Sequence, residues 1–291
     1  MKADAIIAAT DGSEQSLRAV EWAACEAATR GAPLHIVAVP VLPRRMAWER
    51  GSDGAPQNVA DAIIRSYDRA LAQAAGRAAE IEPGLEIRTA LRSGPPAQAL
   101  CEAGSQASML VVGSRGSGGL AAMVLGSVSR HVATHADCPV VVAREETMAV
   151  HQEIVVGVRD LDQPAAIGFA FEEAALRKAR LRVVHAWHWF LPEMRLADTE
   201  RPGADAGDIT AESTKWLAGL VSFWREKYPE VDVVEDVLHA RPARILTGCS
   251  ARADLIVLGR NRTGGSCHPG AEAVIHAVLG HAHGPVAIIP E

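Results

Sequence analysis

Short runs of β-branched and other apolar residues alternate, over the first half of the chain, with longer segments of helical period. The short runs are 5–10, 34–39, 85–91, 108–113 and 139–143. Pieces such as "IIAA", "LVV" and "VVV" lack the in–out alternation of a half-exposed strand, which predicts strands covered on both faces. Between them, 14–30, 57–80, 95–105 and 127–136 return apolar residues every three or four positions and read as helices. In "EQSLRAVEWAACEAATRG", Leu17, Val20, Trp22, Ala24 and Cys25 fall broadly on one side, and Gly31 supplies a stop. Strand–helix alternation of this kind predicts an α/β fold built on an open, doubly wound parallel sheet of five strands.

The second half repeats the first. "AIIAATDG" is echoed by "EIVVGVRD", "RGAPLHIVAV" by "RKARLRVVHA", "SMLVVGSRGSGG" by "ADLIVLGRNRTGG", and "HADCPVVVAR" by "HAHGPVAIIP". Order is preserved and the displacement stays between 146 and 148 residues. The chain therefore reads as a duplicated domain, 1–147 and 148–291, joined near "EETMAVHQ" (Glu145 to Gln152). Two domains also suit a length of 291 residues, beyond the usual size of one core.

Charge narrows the function. Lys and Arg number 29 against 35 Asp and Glu, a net charge of −6, which argues against a nucleic-acid binder working through bulk charge, because phosphate neutralisation needs a basic face. The four lysines are Lys2, Lys178, Lys215 and Lys227, and none follows a glycine-rich loop, which excludes a P-loop. Cys25, Cys101, Cys138, Cys249 and Cys267 are scattered, odd in number and without a CxxC pair, as expected of idle thiols in a reducing cytoplasm. The opening "MKADAIIAATDGS" runs straight into a strand, with no signal-peptide pattern, and no window reaches membrane-spanning length; a cytoplasmic location is expected.

Ligands of open parallel sheets bind beyond the carboxyl ends of the strands, where chain order reverses. Two loops of the first half fall at such ends: Thr10 to Ser13 after the first strand, and "GSRGSGGLAAMVLGSVS" after the fourth. Gly113, Gly116, Gly118 and Gly119 would let backbone amides approach a ligand and take positive φ cheaply. Gly126 and Ser127 open the next predicted helix, whose first N–H groups lack intrahelical partners and attract anions.

The pattern Gly113-Ser114-Arg115-Gly116, nine residues, Gly126-Ser127 resembles the G-x2-G-x9-G-[ST] signature of the universal stress protein family, and "IIAATDGSEQS" and "LGSVSRHVATHADCPVVV" are similar to it as well. The likeness covers both halves and implies a tandem member of adenine-nucleotide α-hydrolase-like fold, its halves packed as a pseudo-dimer and two chains forming a homodimer. It implies ATP, with Mg2+, bound in the first half by a stress-response regulator with no downstream partner named. Carried over by position, Ala9, Thr10 and Asp11 would lie at the adenosine end and Val39 would offer backbone contacts to adenine. Val112, Gly113, Arg115 and Gly116 would wrap ribose and phosphates, and Gly126, Ser127, Val128 and Ser129 would bind phosphates. No general base or nucleophile beyond Asp11 is identifiable, so the expectation is a sensor, with slow ATP hydrolysis conceivable. An adenylate-cleaving or adenylate-transferring enzyme and a nucleotide-independent interaction module are the alternatives.

The second half departs from the signature. Gly259 keeps the first position, but Arg262 replaces the second glycine, Glu272 and Ala273 replace Gly-Ser, and Arg159 stands where Asp11 stood, with Asp160 next. A bulky cation and a helix-start carboxylate oppose phosphate binding, so ATP is expected in the first half alone. Arg159 or Arg262 with Glu272 would fill the vacant crevice; Arg260 with Arg262 could instead serve another anion. His131 and His135 share a helix face but no glutamate completes a protease motif, and Cys267-His268 with His276, His281 and His283 fits no zinc spacing, so no metal site is assigned. No G-x-S-x-G elbow supports a serine hydrolase.

Overall fold

Five parallel strands form the sheet of the first unit: β1 (Ile6–Ala9), β2 (Leu34–Ala38), β3 (Ile87–Leu91), β4 (Met109–Gly113) and β5 (Val140–Ala143). Pairing gives the order β3-β2-β1-β4-β5, so the chain reverses direction of growth between β1 and β4. In this computed structural model the described residues are 5–41, 55–116, 125–144, 150–159, 163–187, 206–261 and 270–291. Gly118, Gly119, Asp160, Arg262, Cys267 and His268 fall outside them.

Ile6, Ala8, Leu34, Ile36, Leu110, Val111 and Val141 are fully buried, which accounts for the unbroken apolar runs of the central strands. Each such Ile, Leu or Val side chain contributes roughly 1.5–3 kcal/mol by leaving water. β3 departs from the covered-strand expectation: as the outer strand of its unit it is mostly exposed. Helices α1 (Glu14–Arg30) and α2 (Ala55–Ile81) pack on each other, with α1 also against β1 and β4; α3 (Pro96–Gly104) and α4 (Ser127–His135) form a second pair. α1 buries more than the side read from its period, because Ala19, Ala23 and Ala27 are fully covered as well. It starts at an N-cap Ser13, whose hydroxyl accepts from Ser16 N–H, and stops at Gly31, where φ is +62°.

The second unit repeats the plan. β6 (Glu153–Gly157), α5 (Pro164–Arg177), β7 (Arg180–Trp187), α6 (Ala206–Lys227), β8 (Val233–His239), α7 (Pro242–Cys249), a 3-10 turn (Ser250–Arg252), β9 (Leu255–Arg260), α8 (Ala271–His281) and β10 (Val286–Pro290) follow in order. Its strands, all parallel, run β10-β9-β6-β7-β8. Even the register recurs: the pair Ala9–Val37 becomes Gly157–Val184, and Ile6–Met109 becomes Ile154–Leu255. Backbone contacts divide the chain into units 1–148 and 149–291. Among the described residues no helix is long and apolar enough to cross a membrane.

Candidate functional site

The reversal between β1 and β4 places the two singled-out loops side by side. Two residues past the pair Ala9–Val37 stand Asp11 and Val39, and Gly113 ends β4 on the other side of β1. Thr10 continues the ladder, its N–H donating to Val37 O at 2.9 Å. Val39 and Val112 are buried, leaving their main chains as the groups the rim can offer.

Asp11 is held by the turn into α1. Its Oδ1 accepts from Ser13 N–H at 3.0 Å and from Ser13 Oγ at 2.6 Å. Its own N–H donates to Ser16 Oγ at 3.3 Å, and that hydroxyl in turn donates to Ser13 O at 2.8 Å. Thr10 Oγ1 and Ser16 Oγ lie 3.0 Å apart, and both residues are buried. The second carboxylate oxygen faces the glycine loop: a Cβ on Gly116 would come within 2.5 Å of Asp11 Oδ2. Ser13 and Ser16 are therefore part of the site's frame. Sequence reading gave Ser13 only as the end of a loop and missed Ser16, although "DGSEQS" places hydroxyls where an N-cap and its first turn need them.

The glycines work by close approach and not by positive φ. Gly113, Gly116 and Gly126 are absent from the residues with φ above zero, contrary to the expectation stated for the first two. A Cβ on Gly113 would sit 2.8 Å from Gln15 O, so here main chain meets main chain as α1 crosses the end of β4. Gly126 differs. Its φ of −66° and ψ of 149° suit any residue, and a Cβ there would find nothing nearer than 3.5 Å. The fold itself does not demand glycine at 126, whereas a ligand lying over the first amides of α4 would.

Gly126 N–H donates to Ser114 O at 2.8 Å, which returns the chain from the loop to the strand end. The N-cap residue of α4, Gly126, has no side chain with which to bond the first-turn amides, which carry the positive end of the helix. Ser127 is exposed and Val128 half-buried. Ser129 is buried, and its hydroxyl donates to Gly113 O at 2.6 Å, fastening α4 to β4. Arg115 is half-buried beside Gly116, and Ala9 is half-buried at the end of β1. Among the described residues no cluster of three His, Cys, Asp or Glu could hold a metal ion.

In the second unit the same rim is filled from within. The Gln163 amide accepts from Arg159 N–H at 2.8 Å and reaches Gly259 O at 3.4 Å. Glu291 accepts from Ala165 and Ala166 N–H, both at 3.0 Å, and so caps α5. A Cβ on Gly259 would meet Gln163 Nε2 at 2.6 Å and Glu291 Oε1 at 2.8 Å. Of the expected filling by Arg159 or Arg262 with Glu272, Arg262 lies outside the described residues, and the exposed Glu272 carboxylate lies 3.5 Å from His276. The register read from sequence also shifts. α8 has eleven residues against nine in α4 and starts after Gly270, so Glu272 lies inside its first turn and not at the cap. Two further residues of helix carry that end about 3 Å outward. On the opposite side, where the first unit has Ala38 and Pro40, His185 stacks edge-on against Trp216 and Trp187 lies flat on His239. Sequence reading passed over these rings, which carry no motif. Burial above all holds the Cys249 thiol above its usual pKa of 9.0, and Glu153 and Asp236 add to this against a nearby Arg182.

A model of the universal stress protein family matches residues 2–144 and again 151–290. A universal stress protein of Mycobacterium tuberculosis is 32% identical over 99% of this chain and 97% of its own length, and one of Mycolicibacterium smegmatis is 30% identical over 98% and 96%. The crystal structure of a universal stress protein from Archaeoglobus fulgidus, 17% identical, shares the fold with a TM-score of 0.73, covering 100% of this chain and 99% of that one. Two matched domains, full-length relatives and a shared α/β fold lead to one conclusion: the chain belongs to the universal stress protein family and carries that domain twice in tandem.

Proposed function

We propose that the protein is an ATP-binding regulator of the stress response that holds nucleotide in the first unit only. The observation that carries this reading is the meeting of Asp11 Oδ2 with the Gly116 main chain, beside an α4 whose cap position is a glycine the fold does not require. Ala9, Thr10, Asp11 and the Val39 main chain would take the adenosine end. Val112, Gly113, Arg115 and Gly116 would border ribose and phosphates, and the amides of Gly126, Ser127, Val128 and Ser129 would receive the terminal phosphates. When bound, Mg2+ would offset phosphate charge that this lysine-free rim leaves uncompensated. Asp11 is the residue suited to orient it or to accept from the ribose hydroxyls. The second unit is not a nucleotide site in this reading, because Gln163, Glu291 and the lengthened α8 take up its rim. The protein acts in the cytoplasm as a homodimer, and at most a slow hydrolysis accompanies binding.

Acid extraction of the purified full-length protein, followed by calorimetric titration with ATP and with AMP, tests the reading. Recovered ATP and a one-per-chain isotherm are expected. An empty protein that ignores millimolar ATP overturns it, and rapid release of AMP or pyrophosphate would replace a regulator by an enzyme.

A further inference from the structure

The outer strand of the first unit, β3, is exposed along all but its first residue. We propose that this edge is where two copies of the chain meet, β3 adding antiparallel to β3 of a second copy about a two-fold axis through Thr89. The proposal rests on the homodimer part of the reading above and assigns its surface. Leu34 N–H donates to Glu86 O at 2.9 Å and Arg92 N–H to Ala38 O at 2.8 Å, while Leu34 lies beside Ile87 and Ala38 beside Leu91 in parallel register. A parallel ladder uses alternate residues, so Glu86, Arg88, Ala90 and Arg92 turn their main-chain groups to β2. Those of Ile87, Thr89 and Leu91 point away from it, and such an outward row is a template for another strand.

In a two-fold pair, residue i meets j wherever j meets i. Matching the outward residues with one another centres the axis on Thr89, so that Thr89 opposes itself and Ile87 opposes Leu91 of the second copy. Leu91 is a large apolar side chain left 36% exposed, and this register covers it. On the other face Glu86 opposes Arg92 of the second copy, once on each side of the axis, and Arg88 opposes Ala90. Glu86 engages Arg88 of its own strand through one oxygen only, Oε1, at 2.7 Å from Nη2 and 3.0 Å from Nε. The other oxygen is left for the incoming guanidinium. Sliding the strands by two residues keeps the ladder but sets Arg88 against Arg88 or against Arg92 of the second copy, and like charges directly opposite destabilise. The charges that guard a lone edge thus select one antiparallel register for it. The corresponding edge of the second unit, β8, is half-buried over most of its length and does not offer the same row.

Sedimentation velocity of the full chain at tens of micromolar is the test, and a dimer is expected. Thr89→Pro removes an outward N–H without touching the ladder to β2, and should leave a monomer under the same conditions. Glu86→Arg should weaken the dimer at least about tenfold, because the two-fold axis counts the new like-charge contact twice. Adding Arg92→Glu to that variant should restore it, a rescue that a folding defect would not show; circular dichroism checks that each variant is folded. A parent that stays monomeric overturns the proposal together with the homodimer, and leaves the ATP titration to judge the nucleotide reading. A dimer that withstands both Thr89→Pro and Glu86→Arg overturns this edge alone.

Discussion

At Gly116 the spacing between two loops is set by a single missing side chain. A methyl group there would collide with Asp11 Oδ2, and the carboxylate has little freedom to retreat because Ser13 donates to its other oxygen twice. Gly116→Ala is therefore expected to weaken ATP binding at least about tenfold, or about 1.4 kcal/mol, with an unchanged melting curve. Unaltered affinity by calorimetry would remove the phosphate-loop reading. Gly126→Glu should abolish binding outright, since it brings negative charge to the amides of α4. Gly113 answers to a different constraint, because its neighbour is the main chain of Gln15 and not a ligand. Gly113→Ala should cost stability, roughly 1–3 kcal/mol by chemical denaturation, as overpacked sites do.

Among the elements, the duplication offers an internal comparison at the ends of α1 and α5. Both helices stop on a left-handed residue, Gly31 with φ +62° and Lys178 with φ +52°, and both make the same closing bonds to the preceding turn. A lysine pays for that conformation where glycine does not, by about 1–2 kcal/mol less the flexibility glycine adds to the unfolded chain. Lys178→Gly is expected to raise the stability of the second unit by about 1 kcal/mol, and denaturant midpoints will show a loss instead if the cap is unstrained. On β2, His35 faces Arg88 across the strand pair. Partial burial first, and Arg88 second, hold its pKa below the usual 6.5, while Glu86 acts in the opposite sense. The unfolded chain then binds the proton more readily, so the contribution is intact above about pH 6.5 and is lost as pH falls below it. Replacing His35 by Gln should flatten the stability profile of the first unit between pH 7 and pH 5.

For the whole molecule, the two units share topology and register yet differ in what occupies the rim. Where the first unit has a glycine at the cap of α4, the rim of the second holds the Gln163 amide and the Glu291 carboxylate. A full-length titration is expected to reach one ATP per chain, and Gly116→Arg should reduce that number to zero. A second equivalent, or a residual one in the variant, would show that the degenerate rim binds after all. Removing the plug tests the same point from the other side. Glu291→Ala should destabilise the second unit by about 1 kcal/mol, as loss of a helix cap does, without creating an ATP site.

Local chemistry explains why so much of this was legible beforehand. Hydrophobic period, the stop at Gly31 and the repeated strand–helix order depend on neighbours in sequence, so the elements, the α/β class and the duplication follow from the chain alone. The glycine pattern likewise marked where main chain would be bare. Which atoms meet there is a different matter, since that depends on strands brought together from distant positions. The β1–β4 adjacency set Asp11 against Gly116, and the return of β10 carried Glu291 to the start of α5. Two extra residues of α8 moved Glu272 away from the cap to which alignment had assigned it. Contacts between residues a hundred or more positions apart leave no periodic trace in a sequence, and only the packed structure decided them.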